Sequence, residues 1–189
     1  MAALNEIARY LLETAASFYL ILTVLRGMLQ LARADFYNPI SQFVVRATNP
    51  PLRVIHRVIP SAGRFDPAVL ILAVLVQVLA IVAQLTLSGF SLPDITSLLI
   101  WSVLGVVGLI INTYLIALVV MIVISWVAPG TRHPAVLLTY QITEPIMSPV
   151  RSMLPSMGGL DFSSIVIFIA INMIQIALSH MATAAGLPL

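Results

Sequence analysis

Thr48-Asn-Pro-Pro-Leu-Arg-Val-Ile-His-Arg-Val-Ile-Pro-Ser-Ala-Gly-Arg-Phe-Asp66 and Thr143-Glu-Pro-Ile-Met-Ser-Pro-Val-Arg-Ser-Met-Leu-Pro-Ser-Met-Gly-Gly-Leu-Asp161 are two versions of one segment, and their relation decides the fold. A gap-free shift of 95 residues (155 minus 60 for the matched prolines) places Thr48 on Thr143, Pro50 on Pro145, Ser61 on Ser156, Gly63 on Gly158 and Asp66 on Asp161. The same shift joins Tyr19 to Tyr114 and Pro39 to Pro134. Apolar coincidences arise easily in such a chain. A common register of Thr, Pro, Ser, Gly and Asp does not, so the chain is a tandem repeat.

Outward from these segments lie long apolar stretches: Leu11 to Ala32, Pro67 to Ser88, Ile95 to Val127 and Phe162 to Met181. A bilayer span needs about 20 residues, so the third is too long for one pass. Gly105 and Gly108 offer a bend but no hairpin. The expectation is a short helix at Leu92–Leu104 near the interface, then a span from Val106 to Val127, with one long tilted helix as the alternative. Met1 to Ala8 holds Glu6 and no basic residue, and Ala32-Arg33-Ala34 follows a segment too long for a signal peptide, so residues 3–33 are read as a retained first helix.

The expected fold is an all-α membrane protein of about four transmembrane helices in two parallel repeats. The first repeat covers 1–91, with spans at about 3–33 and 66–88 and an amphipathic helix pair at 39–59. A linker helix covers 92–105. The second repeat covers 106–189, with spans at 106–128 and 161–183 and amphipathic helices at 134–154. Composition agrees: 60% of residues are hydrophobic and 8% charged, where a soluble domain carries roughly 25% charged residues. There is no cysteine, which excludes disulfides and thiol chemistry. No nucleophile–base pair, phosphate loop or metal spacing occurs, and His56, His133 and His180 are scattered. No enzyme activity, cofactor, metal or nucleic acid is called for.

Plotted at 100° per residue, Leu52, Val54, Ile55, Val58 and Ile59 oppose Arg53, His56 and Arg57, and Met147, Val150, Met153 and Leu154 oppose Ser148, Arg151 and Ser152. Each motif therefore predicts a short amphipathic helix opened by Pro50 or Pro145, preceded by another at 39–47 or 134–142. The pair either lies along the interface or enters as a re-entrant hairpin with Thr48-Asn49 and Thr143-Glu144 at its tip. Burying Arg46 and Arg53 near that tip costs about 2.5–3.5 kcal/mol each, which favours the interface. Arg33, Arg46, Arg53, Arg57, Arg64, Arg132 and Arg151 flank the motifs, so the positive-inside rule turns both motifs to the cytoplasm and both termini outward.

The stretch Ile142 to Asp161, its first copy Thr48 to Asp66, and Asn38-Pro39-Ile-Ser-Gln-Phe-Val-Val-Arg46 resemble the YggT family over nearly the whole chain. Asn49 stands where the second copy has Glu144, and Ser152 where the first has Arg57. The resemblance implies a bacterial inner-membrane protein. Similar proteins are associated with membrane-complex assembly, membrane or nucleoid organisation and cell division, and enterobacterial ones with osmotic stress and potassium handling.

Asp66 and Asp161 are expected to cap the spans that follow them. Asn49 and Glu144 also precede prolines and are read as caps, with Glu144 the best functional candidate and Arg151 its ion-pair partner. Gln77 and Asn172 hold equivalent mid-span positions and are expected to bond each other or a neighbouring helix. Arg26 is expected to snorkel. Two functions follow. One is a scaffold holding anionic lipid, other membrane proteins or further copies of itself through Arg46, Arg53, Arg57 and Arg151. The other is a channel or accessory for potassium flux, marked by a cavity lined by Asn49, Glu144, Gln77 and Asn172.

Overall fold

A computed structural model describes residues 2–61, 63–153 and 162–186. They form six helices: α1 (Ala2–Leu31), α2 (Pro39–Ile55), α3 (Pro67–Leu87), α4 (Ile95–Val127), α5 (Pro134–Met153) and α6 (Ser163–Ala184). Of these, α1, α3, α4 and α6 are long and apolar enough to cross a membrane. The first repeat is α1–α2–α3 and the second is α4–α5–α6.

Local chemistry sets the boundaries. α1 stops in a left-handed turn at Arg33 (φ 50°), where the Ala34 N–H reaches back to the Leu29 carbonyl (2.9 Å) and Ala34 is buried. Asn38 caps α2 by accepting from the Ile40 N–H. Asp66 caps α3, with Pro67 at a position whose missing N–H costs nothing. Asp94 caps α4 by accepting from the N–H and hydroxyl of Ser97. Those two bonds hold the Asp94 carboxyl below the usual carboxylate range.

That cap starts one unbroken helix of 33 residues, so the separate linker helix at Leu92–Leu104 is corrected to the first turns of α4. At 1.5 Å per residue α4 is about 50 Å long, so it tilts or emerges from a hydrocarbon core of about 30 Å. Gly105 does not interrupt the helix. It leaves a notch for Gln77 of α3: a Cβ there would lie 2.9 Å from Gln77 Nε2.

The paired short helices are corrected in the same way. α2 runs through Pro50 and Pro51, and α5 through Pro145 and Pro149. A proline inside a helix frees the carbonyl four residues earlier and costs about 3 kcal/mol. Pro51 frees Ala47, and there the Tyr19 hydroxyl of α1 donates a long bond (3.5 Å). Burial of Val44, Thr48 and Leu52 along one face of α2 supplies the rest. With no break at Thr48-Asn49 or Thr143-Glu144, no hairpin tip exists, and the re-entrant reading falls.

Both motif helices sit at the same end of the bundle. The Asn38 side-chain amide donates to the Pro134 carbonyl (2.8 Å) and the Asp35 N–H to Gln141 Oε1 (3.1 Å). One core cluster joins Val24 and Met28 of α1 to Leu138 and Ile142 of α5. A second joins Leu118 and Met121 of α4 to Met147 and Ile167.

Candidate functional site: the motif helices and the cluster beneath them

The face of α2 turned to the bundle carries Ser41, Val44, Thr48 and Leu52, at spacings of three and four. The rest of the helix divides again. Arg46 and Arg53 are exposed and seven residues apart, which places them 20° from each other. Beside them on the other flank, Ile40, Phe43 and Val54 are exposed apolar residues. The helix thus shows one side to the protein, one basic side and one apolar side, the profile of a helix lying in a membrane interface. Arg57 is exposed in the turn that follows.

α5 differs. Val136, Thr143 and Met147 are buried on one side and Leu138 and Ile142 on nearly the opposite side, so it is clasped between its own repeat and α1. Glu144 and Arg151 are exposed and meet at 3.5 Å (Oε1 to Nη1). Asn49 and Glu144 lie inside continuous helices, so the capping role read for them is corrected: Asn38 caps α2, and His133 Nδ1 accepts the Ala135 N–H (3.3 Å) at the start of α5.

Beneath the turn after α2, Asp66 does more than cap. Its carboxylate accepts from the Ala68 N–H (3.1 Å), and both oxygens face His56 Nε2 at 3.1 and 3.0 Å. The Asp66 side chain is 2% exposed and that of His56 30%. His56 is thus paired with one carboxylate, and a signal for the pair stood in the repeat: Arg151 occupies His56's place and Asp161 that of Asp66. Asp161 itself lies outside the described residues. Arg26 does not snorkel freely. Its guanidinium carbon sits 5.9 Å from the Phe36 ring centre, and its Nε and Nη1 are buried without a hydrogen-bond partner.

Gln77 and Asn172 do not meet, because among the described residues α3 and α6 make no contact. Asn172 donates to the Phe168 carbonyl of its own helix. Gln77 lines a cavity of about 700 Å³ between α3, α4 and the loop joining them, together with Arg9, Gln84, Ser88, Trp101 and Gly105. Asn49, Glu144 and Asn172 do not line it. Among the described residues no three His, Asp or Glu side chains group to hold a metal.

The family model described as CCB3/YggT matches residues 5–87 and again 100–182. Both limits differ by 95 (100 minus 5, 182 minus 87), the register of the internal repeat. The chain is 44% identical over its whole length to an uncharacterized protein of Pseudomonas aeruginosa, covering 96% of that relative. It is 36% identical to the uncharacterized protein YggT of Escherichia coli K12, over 94% of this chain and 92% of that one. A Vibrio alginolyticus protein is 36% identical over 86% of the chain and 88% of its own length. No solved structure matches.

Proposed function

The chain belongs to the CCB3/YggT family, and on that footing we propose that it is a non-catalytic organiser of the bacterial cytoplasmic membrane. Its motif helices lie along the cytoplasmic leaflet, gather anionic lipid and present a platform to other membrane proteins. The observation that carries this reading is the threefold division of α2, with Arg46 and Arg53 on one exposed flank and Phe43 and Val54 on the other. Apolar residues enter the acyl boundary while the arginines stay at headgroup level. Arginine placement supports the sidedness. Arg33, Arg46, Arg53, Arg57, Arg64, Arg132 and Arg151 belong to the end that carries the motifs, while the end where α3 turns into α4 has only Arg9 near it.

The test is the variant Arg53→Gln/Arg57→Gln. Each basic residue at an anionic leaflet contributes about 1 kcal/mol, so the pair should lower affinity for phosphatidylglycerol roughly thirtyfold at low salt, with the difference shrinking as salt rises. Folding should survive, because both side chains are exposed. Affinity is read in mixed micelles of phosphatidylglycerol and phosphatidylcholine, beside an unfolding titration. Unchanged lipid affinity with loss of potassium flux in proteoliposomes would replace the organiser by the channel.

A further inference from the structure

We propose that the chain binds further copies of itself head to tail, repeating between molecules the junction that joins its two repeats. This goes beyond the lipid reading and does not depend on it. Across the junction α3 touches α4, α1 touches α5, α1 touches α4 and α2 touches α5. A two-fold axis would require every unlike contact to occur twice. The α3–α4 contact would demand one between α6 and α1, and the α1–α5 contact one between α4 and α2. Among the described residues neither exists. The junction is therefore heterologous: the second repeat offers α4 and α5, and the first receives them on α3 and α1. Each chain keeps one unused surface of each kind. The offering surface of the first repeat is α1 and α2; the receiving surface of the second is α6 and α4. A second copy carries the complement of both.

The apolar side of this junction has exposed equivalents at Phe43, Val119 and Val123, while the fourth, Ala47, already packs beside the junction cluster. Leu138 and Ile142 are buried against Val24 and Met28. The 95-residue register turns these into Phe43 and Ala47, and into Val119 and Val123. Phe43 is 54% exposed, Val119 42% and Val123 51%. In lipid such exposure alone needs no partner, because tails are as apolar as the side chains.

The polar side carries the argument further. At the junction Asn38 has two tasks: Oδ1 accepts the N–H of Ile40, two residues on, and Nδ2 donates across to the Pro134 carbonyl. His133 stands in the same register and repeats the first task, with Nδ1 accepting the N–H of Ala135. A neutral imidazole whose Nδ1 accepts carries its hydrogen on Nε2. His133 is exposed, and the register equivalent of the Pro134 carbonyl is the Pro39 carbonyl of the next copy. His133 Nε2–H donating to that carbonyl completes the second task. One free end of each kind means that assembly closes as a ring of two or more copies or extends as a row, according to the rotation at the junction.

The chain lacks cysteine, and among the described residues α2 and α4 do not touch within a chain, so a cross-link between Phe43→Cys on one chain and Val123→Cys on another reports on two molecules. Differently tagged single variants, co-expressed and treated in membranes with a short bis-maleimide, should give mixed dimers well above same-residue dimers. The variant Phe43→Cys/Val123→Cys should give a covalent dimer when the ring closes with two copies, or a ladder beyond it when more copies join. Adding His133→Ala should lower the yield several-fold, and His133→Asn, which restores the amide used by Asn38, should recover it. Native mass spectrometry of the unsubstituted protein should report oligomers. A monomer there, predominance of same-residue products, or oligomers without the mixed product each overturn the proposal.

Discussion

Removing the Asp66 carboxylate should destabilise the end that bears the motifs, because it breaks two buried bonds at once. Asp66→Ala deletes the cap bond from Ala68, worth about 1 kcal/mol, and the charge-assisted bond to His56, worth about 1.5–3 kcal/mol when fully buried. His56 is 30% exposed, so water can replace part of what it loses, and the low end applies. The sum is about 2–3 kcal/mol. Asp66→Asn should cost only about 1 kcal/mol, because asparagine caps as well as aspartate. His56→Ala should cost about 1.5–2 kcal/mol, less than Asp66→Ala, because the Asp66 carboxylate (2% exposed) loses one partner but keeps the Ala68 N–H. His56→Arg should be tolerated, because Arg151 fills that position in the second repeat. The assay is reversible unfolding in mixed micelles of dodecyl maltoside and dodecyl sulfate. An Asp66→Ala protein within about 0.5 kcal/mol of the parent, or an asparagine variant as unstable as the alanine one, would refute the buried-pair account.

Two further perturbations probe local claims. Tyr19→Phe should cost about 0.5–1 kcal/mol in the parent, the low end for a bond as long as 3.5 Å, and close to nothing beside Pro51→Ala, because the restored N–H at position 51 then serves the Ala47 carbonyl; a double-mutant cycle with no coupling contradicts this. The Asp94 carboxyl is held below its ordinary value by Ser97, so its contribution is present above the unfolded value and lost as pH falls through the folded one. Amide exchange at the start of α4, corrected for intrinsic rate, should accelerate on acidification in the parent and not in Asp94→Asn.

The spans and the repeat were legible because hydropathy and a gap-free shift are long-range signals that no single residue can spoil. The Asp66 cap was legible because Asp followed by Pro before an apolar run has few other meanings. What misled were the local breakers. Pro50 and Pro145 signalled helix starts, yet α2 and α5 run through them, because burial of Thr48, Leu52, Thr143 and Met147 outweighs the lost backbone bonds. Gly105 signalled a bend, yet it serves Gln77. The His56–Asp66 pair joins residues ten positions apart across a turn, where helical periodicity says nothing about contact. Only comparison of the two copies, His56 against Arg151, carried its trace.

That comparison also indicates where to look for function. Both copies keep Thr48 or Thr143, each buried and bonded back to its own helix, and both keep the aspartate before the second span. Thr48, Thr143 and Asp66 are sufficiently explained by the bonds they make within the fold. Other positions differ: Arg26 answers to Met121, Pro51 to Ile146, Asn49 to Glu144 and Asn38 to His133. None of these can be required by the repeat as such, since the other copy folds without it. One of them already has an explanation in the asymmetric junction. Asn38 bonds across it, while His133 stands at the outer equivalent. Met121 packs in an apolar cluster of the second repeat, whereas Arg26 keeps two buried nitrogens without partners beneath the basic helix. An arginine in a span is expensive, and the duplicated position shows that an apolar residue would serve the packing. Arg26 also attracts the buried Asp66 carboxylate, while burial of its guanidinium costs free energy. Arg26→Met should therefore stabilise an Asp66→Asn protein more than it stabilises the parent in the same unfolding titration, and an equal effect in both backgrounds contradicts the coupling.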